Sequence, residues 1–424
     1  MYFLYSCFLF FAIILYTPVY YVKNLLKKKK ALNFNARFGL GIQGKQLPHP
    51  SIWFHAVSVG EVLCLRRLVQ ELKQRHPDWS IYCSTLTETG QKTAVDNLKS
   101  VDQFIYVPVD LGWVVKRFFK ILQPSLFAVV ETEIWPHLLR GAKRNTNGVL
   151  MVNGRVSSAS ARKYSKVRWF IRCVLKNVDC FLMQTEEDSQ RLSCLGVESD
   201  RMKIIGNLKS DIILPEMDGS ERATLRKELS LEQDIKVFIA GSTHPEEDTR
   251  LLQVYKKASS LNKSLFLILA PRHPHRAEEV SRVCRDLSLG CVRRSLMPAA
   301  GKWDVMILDT IGELTRFYDF SDCAYVGGSL VPKGGQNLLE PAFYAKPIFF
   351  GPHMENFAEL ADRFVQSKAA RIVRDDEEII EMFLLKDWNA LLEMGKKAQK
   401  ELQGLQGATD KTIQEIETFM KRIS

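Results

Sequence analysis

The chain has 424 residues, of which 46% are hydrophobic and 25% charged, and its formal net charge is +11. This length suits about two domains of ~150–200 residues, each large enough to bury its own core. Nine cysteines are scattered along the chain without a Cys-x-x-Cys pair. Their spacing argues against a disulfide framework and a zinc site, and predicts reduced thiols.

The N-terminal segment is apolar and uncharged from Tyr2 to Val22, long enough to cross a hydrocarbon core of ~30 Å as a helix. Basic residues follow it at Lys27 to Lys30, so the positive-inside rule places the rest of the chain in the cytoplasm. A basic cluster beside an apolar segment favours anionic lipids over nucleic acid as the partner. We therefore predict an uncleaved membrane anchor. Monotopic insertion, suggested by Pro18, and a buried core helix are the alternatives.

Strand and helix signals alternate after this segment, which is typical of a parallel sheet with helices on both faces. The first set of predicted strands lies at residues 51–56, 81–84, 104–107, 126–130, 148–152 and 180–184. The pattern pauses around Pro215 to Ser220, and a second set follows at residues 236–240, 264–270, 305–308, 323–326 and 347–350. From Trp388 the sequence predicts amphipathic helix. Two such sets predict two doubly wound sheets with a cleft between them, in which ligands bind after the strands.

An acidic residue follows the first predicted strand. The run HAVSVGE, residues 55–61, passes through a turn into a predicted helix and ends in Glu61. A carboxylate placed there can remove a proton from an acceptor hydroxyl if it lies within hydrogen-bond reach. The alternative is that Glu61 only favours the positive N-terminus of its helix.

Two further carboxylates follow the strand at residues 126–130, in the run VETEIWP. Glu131 and Glu133 lie on the same side if the strand continues through them, because side chains alternate along a strand. Paired acids suit proton transfer or the binding of hydroxyl groups. The alternative is a solvated strand end, with Pro136 beginning a helix.

Groups suited to anions follow three strands of the second set. The runs APRHPHR (270–276) and DTIGEL (309–314) place Arg272 and a small-residue loop there. A glycine-rich stretch (327–337) then leads into a predicted helix, a common phosphate-binding arrangement. Glu340 is placed to accept hydrogen bonds from ribose hydroxyls, although Asn337 and Glu340 can also be read as a capping box. Three such loops in one domain predict a nucleotide site.

Other catalytic signatures are missing from the sequence. No Asp-x-Asp pair follows a strand, no His-x-x-x-His spacing occurs, and no strand leads through Gly-x-Gly-x-x-Gly into a helix. The sequence therefore argues against metal catalysis and against a dinucleotide-dependent dehydrogenase.

As a set, the motifs resemble those of the Kdo (3-deoxy-D-manno-octulosonic acid) transferases of lipopolysaccharide biosynthesis. The resemblance runs from the anchor to about residue 360 and lies in the order and spacing of HAVSVGE, VETEIWP, NGRVS, GNLKSD, AGSTHPEE, APRHPHR, DTIGEL, GGSLVPKGGQNLLEP and FGPHMENF. It implies a GT-B type fold with two Rossmann-like domains. It also implies inverting transfer of one or several Kdo units from CMP-Kdo to the lipid A precursor, without a metal or another cofactor.

The resemblance also assigns roles to individual residues. Glu61 occupies the position of the general base, and Glu131 and Lys209 match positions that stabilise the transition state. The residues that match CMP contacts are Pro271, Arg272, Ile311, Gly312, Glu313, Asn337, Leu338, Leu339 and Glu340.

These observations predict a membrane anchor with its basic flank (1–30), an acceptor-binding domain (31–216), a CMP-sugar-binding domain (217–390) and a helical tail (391–424). We expect an inner-membrane protein with its catalytic domains on the cytoplasmic side. Its expected partners are CMP-Kdo, the lipid A precursor and anionic lipids. Three alternatives remain: a GT-B transferase that uses a UDP-sugar on another lipid acceptor, a nucleotide-sugar epimerase, and a non-catalytic membrane-docking protein.

Overall fold

The structure, a computed structural model, describes residues 1–26, 34–39, 47–297 and 301–421, with residues 16–26 and 34 described by their backbone alone. The chain forms two compact units. The first comprises Met1–Asp211 and Leu405–Ser424, and the second comprises Ile212–Gly404. The sequence places the division after residue 216, whereas the structure divides the chain after Asp211 and returns its C-terminal end to the first unit.

The first unit is built on a seven-stranded parallel sheet. Its strands are β1 (Ser51–His55), β2 (Ser80–Thr85), β3 (Gln103–Tyr106), β4 (Leu126–Val130), β5 (Val149–Gly154), β6 (Cys180–Met183) and β7 (Met202–Ile204). They lie in the order β3-β2-β1-β4-β5-β6-β7. The strand order reverses between β1 and β4, where Ile52 pairs with Leu126. In open parallel sheets, ligands bind at the carboxyl ends of the strands beside such a switch point.

The second unit contains another seven-stranded parallel sheet. Its strands are β8 (Lys236–Thr243), β9 (Leu265–Pro271), β10 (Cys291–Arg293), β11 (Val305–Ile307), β12 (Cys323–Val326), β13 (Ile348–Phe350) and β14 (Ala370–Ile372). Their order is β10-β11-β9-β8-β12-β13-β14, with the switch point between β8 and β12. Both predicted parallel sheets, and with them the α/β class, are confirmed.

The helices are α1 (Tyr2–Leu26), α2 (Phe34–Arg37), α3 (Val59–Arg75), α4 (Glu88–Asn97), α5 (Gly112–Leu122), α6 (Pro136–Asn145), α7 (Ser158–Ser165), α8 (Arg168–Leu175), α9 (Glu186–Leu195), α10 (Gly219–Glu228), α11 (Pro245–Leu261), α12 (Ala277–Asp286), α13 (Leu314–Phe320), α14 (Leu339–Phe343), α15 (Ala358–Gln366), α16 (Asp376–Leu384), α17 (Trp388–Leu405) and α18 (Ala408–Lys421). They pack on both faces of the sheets. Along β1, Ile52 and Phe54 join one apolar cluster with α3, while Trp53 joins another with α5. Because a strand covered on both faces is buried throughout, its sequence is continuously apolar.

The C-terminal tail consists of two helices rather than one. Gly407, with a φ of 102°, lies between α17 and α18 in the left-handed conformation that commonly follows a helix end. Buried Asp211 accepts hydrogen bonds from the backbone N–H groups of Gly407 and Thr409. The side chains of Ile413 and Phe419 on α18 then join the core cluster beneath α3.

Helix α1 packs against the first unit along one face. Tyr5 Oη donates to Asp110 at 2.9 Å, and Ser6 Oγ lies 2.7 Å from His137 Nε2. The Tyr2 hydroxyl accepts from Asn177. No helix in the described parts of the chain has both the length and the apolar character needed to span a membrane. The predicted anchor therefore stays a prediction, and the lysines at 27–30 lie outside the described residues.

Candidate active site

Glu61 lies in the first turn of α3, directly after β1. Ser58 caps this helix by accepting a hydrogen bond from Glu61 N, and Glu61 Oε2 accepts one from Val57 N at 2.7 Å. The residue is only 6% exposed. The carboxylate oxygen Oε2 thus accepts a hydrogen bond from the backbone just before the helix.

The pKa of Glu61 is raised above that of an ordinary glutamate. Burial is the main cause and the negative charge of Glu131 adds to it, while the hydrogen bonds from Ser58 and Val57 oppose the shift. A carboxylate with a raised pKa binds a proton more strongly, which suits a general base near neutral pH. The environment of Glu61 therefore agrees with the predicted role.

Glu131 follows β4 but does not continue it. The strand ends at Val130, and Glu131 has a φ of 55°, in the left-handed region. The condition under which Glu131 and Glu133 would share one side, a strand that continues through them, is therefore not met, and the alternative of a strand end before Pro136 applies. Glu131 Oε1 forms an ion pair with Lys209 Nζ at 2.9 Å, whereas Glu133 Oε2 accepts from Trp135 Nε1 at 2.9 Å. The helix predicted at Pro136 begins there.

Lys209 lies in a 3-10 turn (Leu208–Ser210) after β7. Its ammonium group reaches the turn before Glu61, since a Cβ atom added to Gly60 would lie 3.9 Å from Lys209 Nζ. The structure therefore brings Glu61, Glu131 and Lys209 together at the carboxyl ends of β1 and β4.

Asn153 is a supporting residue whose importance the sequence did not reveal. It is buried, has a φ of 56°, and lies at a register irregularity near the end of β5. Its Oδ1 accepts from Leu208 N at 3.0 Å, and its Nδ2 lies 3.9 Å from Cys64 Sγ on α3. Asn153 thus connects the turn that carries Lys209 with the helix that carries Glu61. The sequence signals are its place in the NGRVS motif and an Asn-Gly pair at a strand end, which also fits an ordinary turn.

The second unit contains a cavity of about 330 Å³ at the ends of its strands. Four predicted nucleotide contacts line it, namely Arg272, Gly312, Asn337 and Glu340. Of its other lining residues, Ser242, Leu314 and Gln336 lie in motifs that the sequence analysis named, whereas Thr315 and Tyr318 do not. The remaining predicted contacts are not among the lining residues. These are Pro271, Ile311, Glu313, Leu338 and Leu339.

Two acidic residues near this cavity are held in different ways. Burial raises the pKa of Glu340, and a hydrogen bond with the Asn337 side chain opposes the shift. Burial also pushes the pKa of Glu313 upward, but hydrogen bonds from Arg294 and Thr310 outweigh it and lower the pKa. Arg294 Nη2 lies 3.1 Å from Glu313 Oε1. At neutral pH, Glu313 is thus an ionised partner of Arg294.

The glycine-rich loop after β12 differs from the predicted phosphate cradle. Glu247 on α11 is fully buried and accepts from the backbone N–H groups of Gly328, Ser329 and Leu330. It also accepts from Tyr325 Oη and from the N–H of His244. The helix that follows the loop, α14, has only five residues. An internal carboxylate therefore occupies three of the backbone donors in the stretch (327–337) that the sequence suggested for a phosphate.

Replacing Glu247 by Ala should strongly destabilise the protein. Removing the carboxylate leaves several buried donors without an acceptor, at a cost of at least ~3 kcal/mol in the free energy of unfolding. The neighbouring Glu246 is exposed, so Glu246→Ala is the matched control and should change stability by less than ~0.5 kcal/mol. Urea denaturation of both variants measures the difference. Equal unfolding midpoints would contradict the assigned role of Glu247.

Residues 32–212 match the family model of the 3-deoxy-D-manno-octulosonic-acid transferases (Kdo transferases). The 3-deoxy-D-manno-octulosonic acid transferase of Haemophilus influenzae is 30% identical to this chain over 394 residues, and the match covers 91% of each sequence. The chain belongs to the Kdo transferase family. The family resemblance found in the sequence motifs is thereby confirmed.

One further relative and one solved structure show how far the similarity extends. A bifunctional glycosyltransferase/methyltransferase of Fusobacterium nucleatum is 34% identical over 334 residues, 78% of this chain, but the chain spans only 51% of that relative's length. The UDP-GlcNAc 2-epimerase of Neisseria meningitidis, solved with UDP-GlcNAc, has a TM-score of 0.59 at 12% identity. That match covers 87% of this Kdo transferase family member and all of the epimerase. At such low identity it shows a shared fold alone.

Within the described ranges, no group of three or more His, Cys, Asp or Glu side chains is arranged to hold a metal ion. Metal-independent catalysis stays a prediction.

Proposed function

We propose that this protein transfers Kdo from CMP-Kdo to the lipid A precursor lipid IVA, adding one or several units. The observation that carries the proposal is the grouping of Glu61, Glu131 and Lys209 at the switch point of the first sheet in a member of the Kdo transferase family. A buried base beside an ion pair suits the transfer of an acidic sugar to a hydroxyl group.

Glu61 acts as the general base in this proposal. Its carboxylate removes the proton from a primary hydroxyl of the glucosamine disaccharide while that oxygen attacks the anomeric carbon of Kdo. The bond between the anomeric carbon and the phosphate oxygen breaks on the opposite face, so the configuration inverts and CMP leaves. The proton on Glu61 then passes to solvent, which restores the base.

Lys209 and Glu131 stabilise the charge that develops during transfer. The ammonium group of Lys209 is held 2.9 Å from Glu131, which fixes its direction before the substrate binds. A cation fixed in place lowers the energy of a developing anion without reorganising during the reaction. It therefore favours a transition state in which negative charge moves toward the leaving phosphate.

CMP-Kdo is the proposed donor, and the cavity of the second unit is its proposed nucleotide site. Arg272 supplies a cation suited to the phosphate, and Glu340 supplies a carboxylate suited to the ribose hydroxyls. Asn337 and Gly312 line the same cavity. Of the nine predicted CMP contacts, these four are the ones that line the cavity.

We further propose that α1 holds the enzyme on the cytoplasmic face of the inner membrane, where its lipid acceptor is supplied. One face of α1 contacts the protein, and the opposite face leaves large apolar side chains exposed. These are Phe3, Leu4, Phe8, Phe10, Phe11, Ile14 and Leu15. Exposed Trp169 lies beside Phe170, which contacts Tyr5 of α1. An exposed apolar face bordered by tryptophan supports insertion into the lipid interface.

Charged substitutions on this face should release the protein from membranes. We expect the double variant Phe8→Asp/Phe11→Asp to bind at least ~10-fold less to vesicles of phosphatidylethanolamine and phosphatidylglycerol, because each Phe contributes ~1.5–3 kcal/mol when buried. Leu261→Asp is a suitable control, since Leu261 is 72% exposed and Phe8 is 75% exposed. Flotation of the variants with vesicles measures binding. An equal loss for the control, or no loss for the double variant, would contradict membrane insertion through this face.

The proposed activity is tested by nucleotide release. Purified protein is incubated with lipid IVA and either CMP-Kdo or a UDP-sugar, and free CMP or UDP is measured. The proposal predicts CMP release that requires lipid IVA, and no UDP release. UDP release would favour a transferase of the same fold with another donor, and conversion of UDP-GlcNAc without a lipid would indicate an epimerase.

A further inference from the structure

Cationic and imidazole side chains gather around the glycine-rich loop of the second unit. His244 follows β8, Arg272 and His273 follow β9, and Lys333 lies in the segment after β12. These strands are neighbours, or next neighbours, around the switch point of the sheet. The topology therefore brings positive or protonatable groups from three loops to one edge.

This group of residues borders the nucleotide cavity. The ring centroids of His244 and His273 are 6.5 Å apart. A Cβ atom added to Gly328 would lie 3.4 Å from His244 Cδ2 and 3.5 Å from Gln336 Nε2, and Gln336 lines the cavity. His244 thus lies close to His273 and, across Gly328, close to the cavity-lining Gln336.

The charges in this group are not neutralised by protein acids. Among the described residues, neither the Arg272 guanidinium nor the Lys333 ammonium has a hydrogen-bond or ion-pair partner. By contrast, Arg276, on the turn after His273, is bound by Asp248 at 2.6 Å and by Glu279. The nearby carboxylate of Glu247 is buried and already accepts five hydrogen bonds. Among the described residues, Arg272 and Lys333 therefore have no acidic partner.

The first part of the loop is already occupied. Glu247 accepts from the N–H groups of Gly328, Ser329 and Leu330, so these three donors are not free to bind an anionic ligand. The proposed donor carries two anionic groups, a phosphodiester and the carboxylate of its sugar. Arg272, as a lining residue of the cavity, accounts for the phosphate.

We propose that His244, His273 and Lys333 form a second anion subsite, beside the nucleotide cavity, that binds the carboxylate of the donor sugar. This inference rests on the proposed function. It predicts selection against nucleotide-linked neutral hexoses, because a donor without a carboxylate would leave these cations without an anionic partner. Lys333 supplies the charge, and the two imidazoles supply N–H donors.

The test compares Lys333→Met and His273→Ala with the control Lys263→Met. Lys263 is also exposed but lies just before β9, at the opposite edge of the sheet. For the first two variants we expect the KM for CMP-Kdo to rise about 10-fold, a change of ~1.4 kcal/mol. The Kd for CMP, measured by calorimetry, should stay within about twofold of wild type, because CMP lacks the carboxylate.

Two results for these variants would overturn the inference. An equal weakening of CMP binding would assign the subsite to the phosphate, and an unchanged KM in both variants would show that the residues bind no part of the donor. A wild-type protein that binds CMP but releases none from CMP-Kdo in the presence of lipid IVA would instead reject the proposed function.

Discussion

Glu61→Gln should reduce the kcat of Kdo transfer by about 10²–10⁴-fold, the usual contribution of a general base. Glutamine keeps an oxygen that can accept from Val57 N, so the start of α3 is preserved. It cannot accept a proton from the acceptor hydroxyl. Transfer of labelled Kdo under single-turnover conditions measures the loss directly.

The same substitution should leave stability unchanged or raise it at neutral pH. Burial and Glu131 raise the pKa of Glu61 in the folded protein, so the fold disfavours its ionised form. Stability therefore falls as pH rises from the unfolded pKa through the folded pKa, and the full penalty is present above both. A neutral glutamine carries no such penalty. Thermal unfolding at pH 5 and pH 8 should show that the Tm gain is larger at pH 8.

The pH dependence of activity provides the control for this assignment. Wild-type kcat should rise with pH through a pKa above that of an ordinary glutamate, because only ionised Glu61 can accept the proton. Glu133→Gln is a matched substitution, since Glu133 is a second acid in the same region with a pKa raised mainly by burial. The Glu133→Gln variant should keep this rise of kcat with pH, whereas Glu61→Gln should lose it. If the rise of kcat with pH disappears in Glu133→Gln instead, the general base is Glu133 and not Glu61.

Lys209→Met should lower kcat by about 10²–10³-fold, the range observed when one fixed donor to a developing oxyanion is removed. Lys209 is paired with Glu131, and its side chain is 44% exposed. Breaking an exposed pair changes stability by less than ~1 kcal/mol, so the expected loss is catalytic rather than structural. The Kd for CMP should remain close to wild type.

Lys203→Met is the matched control for Lys209→Met. Lys203 pairs with Glu415 at 2.6 Å, is 50% exposed and belongs to the same unit. Both variants should unfold within ~1 kcal/mol of wild type, but only Lys209→Met should lose activity. Comparable activity losses in the two variants would show that the effect comes from a general disturbance of the unit, and would remove Lys209 from the catalytic group.

The sheets could be predicted because their central strands are buried on both faces. Residues 126–130 and 323–326, for example, are uninterrupted apolar runs, and both form strands with those bounds. Three short strands were missed, β7, β10 and β14, each of three residues at or next to a sheet edge. Edge strands are partly solvated, as the exposed Lys203 and Ile204 of β7 illustrate, so they lack the continuous apolar signal.

The candidate site was predictable wherever function requires a residue type directly after a strand. Glu61, Glu131 and Lys209 were named by resemblance to a family, and the structure brings them together. The left-handed turn at Glu131 could not be predicted, because nothing in the residue type requires it. Glu247 was also missed as the carboxylate that holds the glycine-rich loop. Its partners lie about 80 residues further along the chain, so only the folded sheet reveals the contact.

The most direct test of this account is the mass of the lipid product formed from CMP-Kdo and lipid IVA by wild type and Glu61→Gln, without divalent metal. The account predicts increments of whole Kdo units with wild type, which also count the transfers, and no increment with the variant over the same time. A folded wild-type protein that adds no Kdo, or a Glu61→Gln variant that adds it at the wild-type rate, would contradict the account.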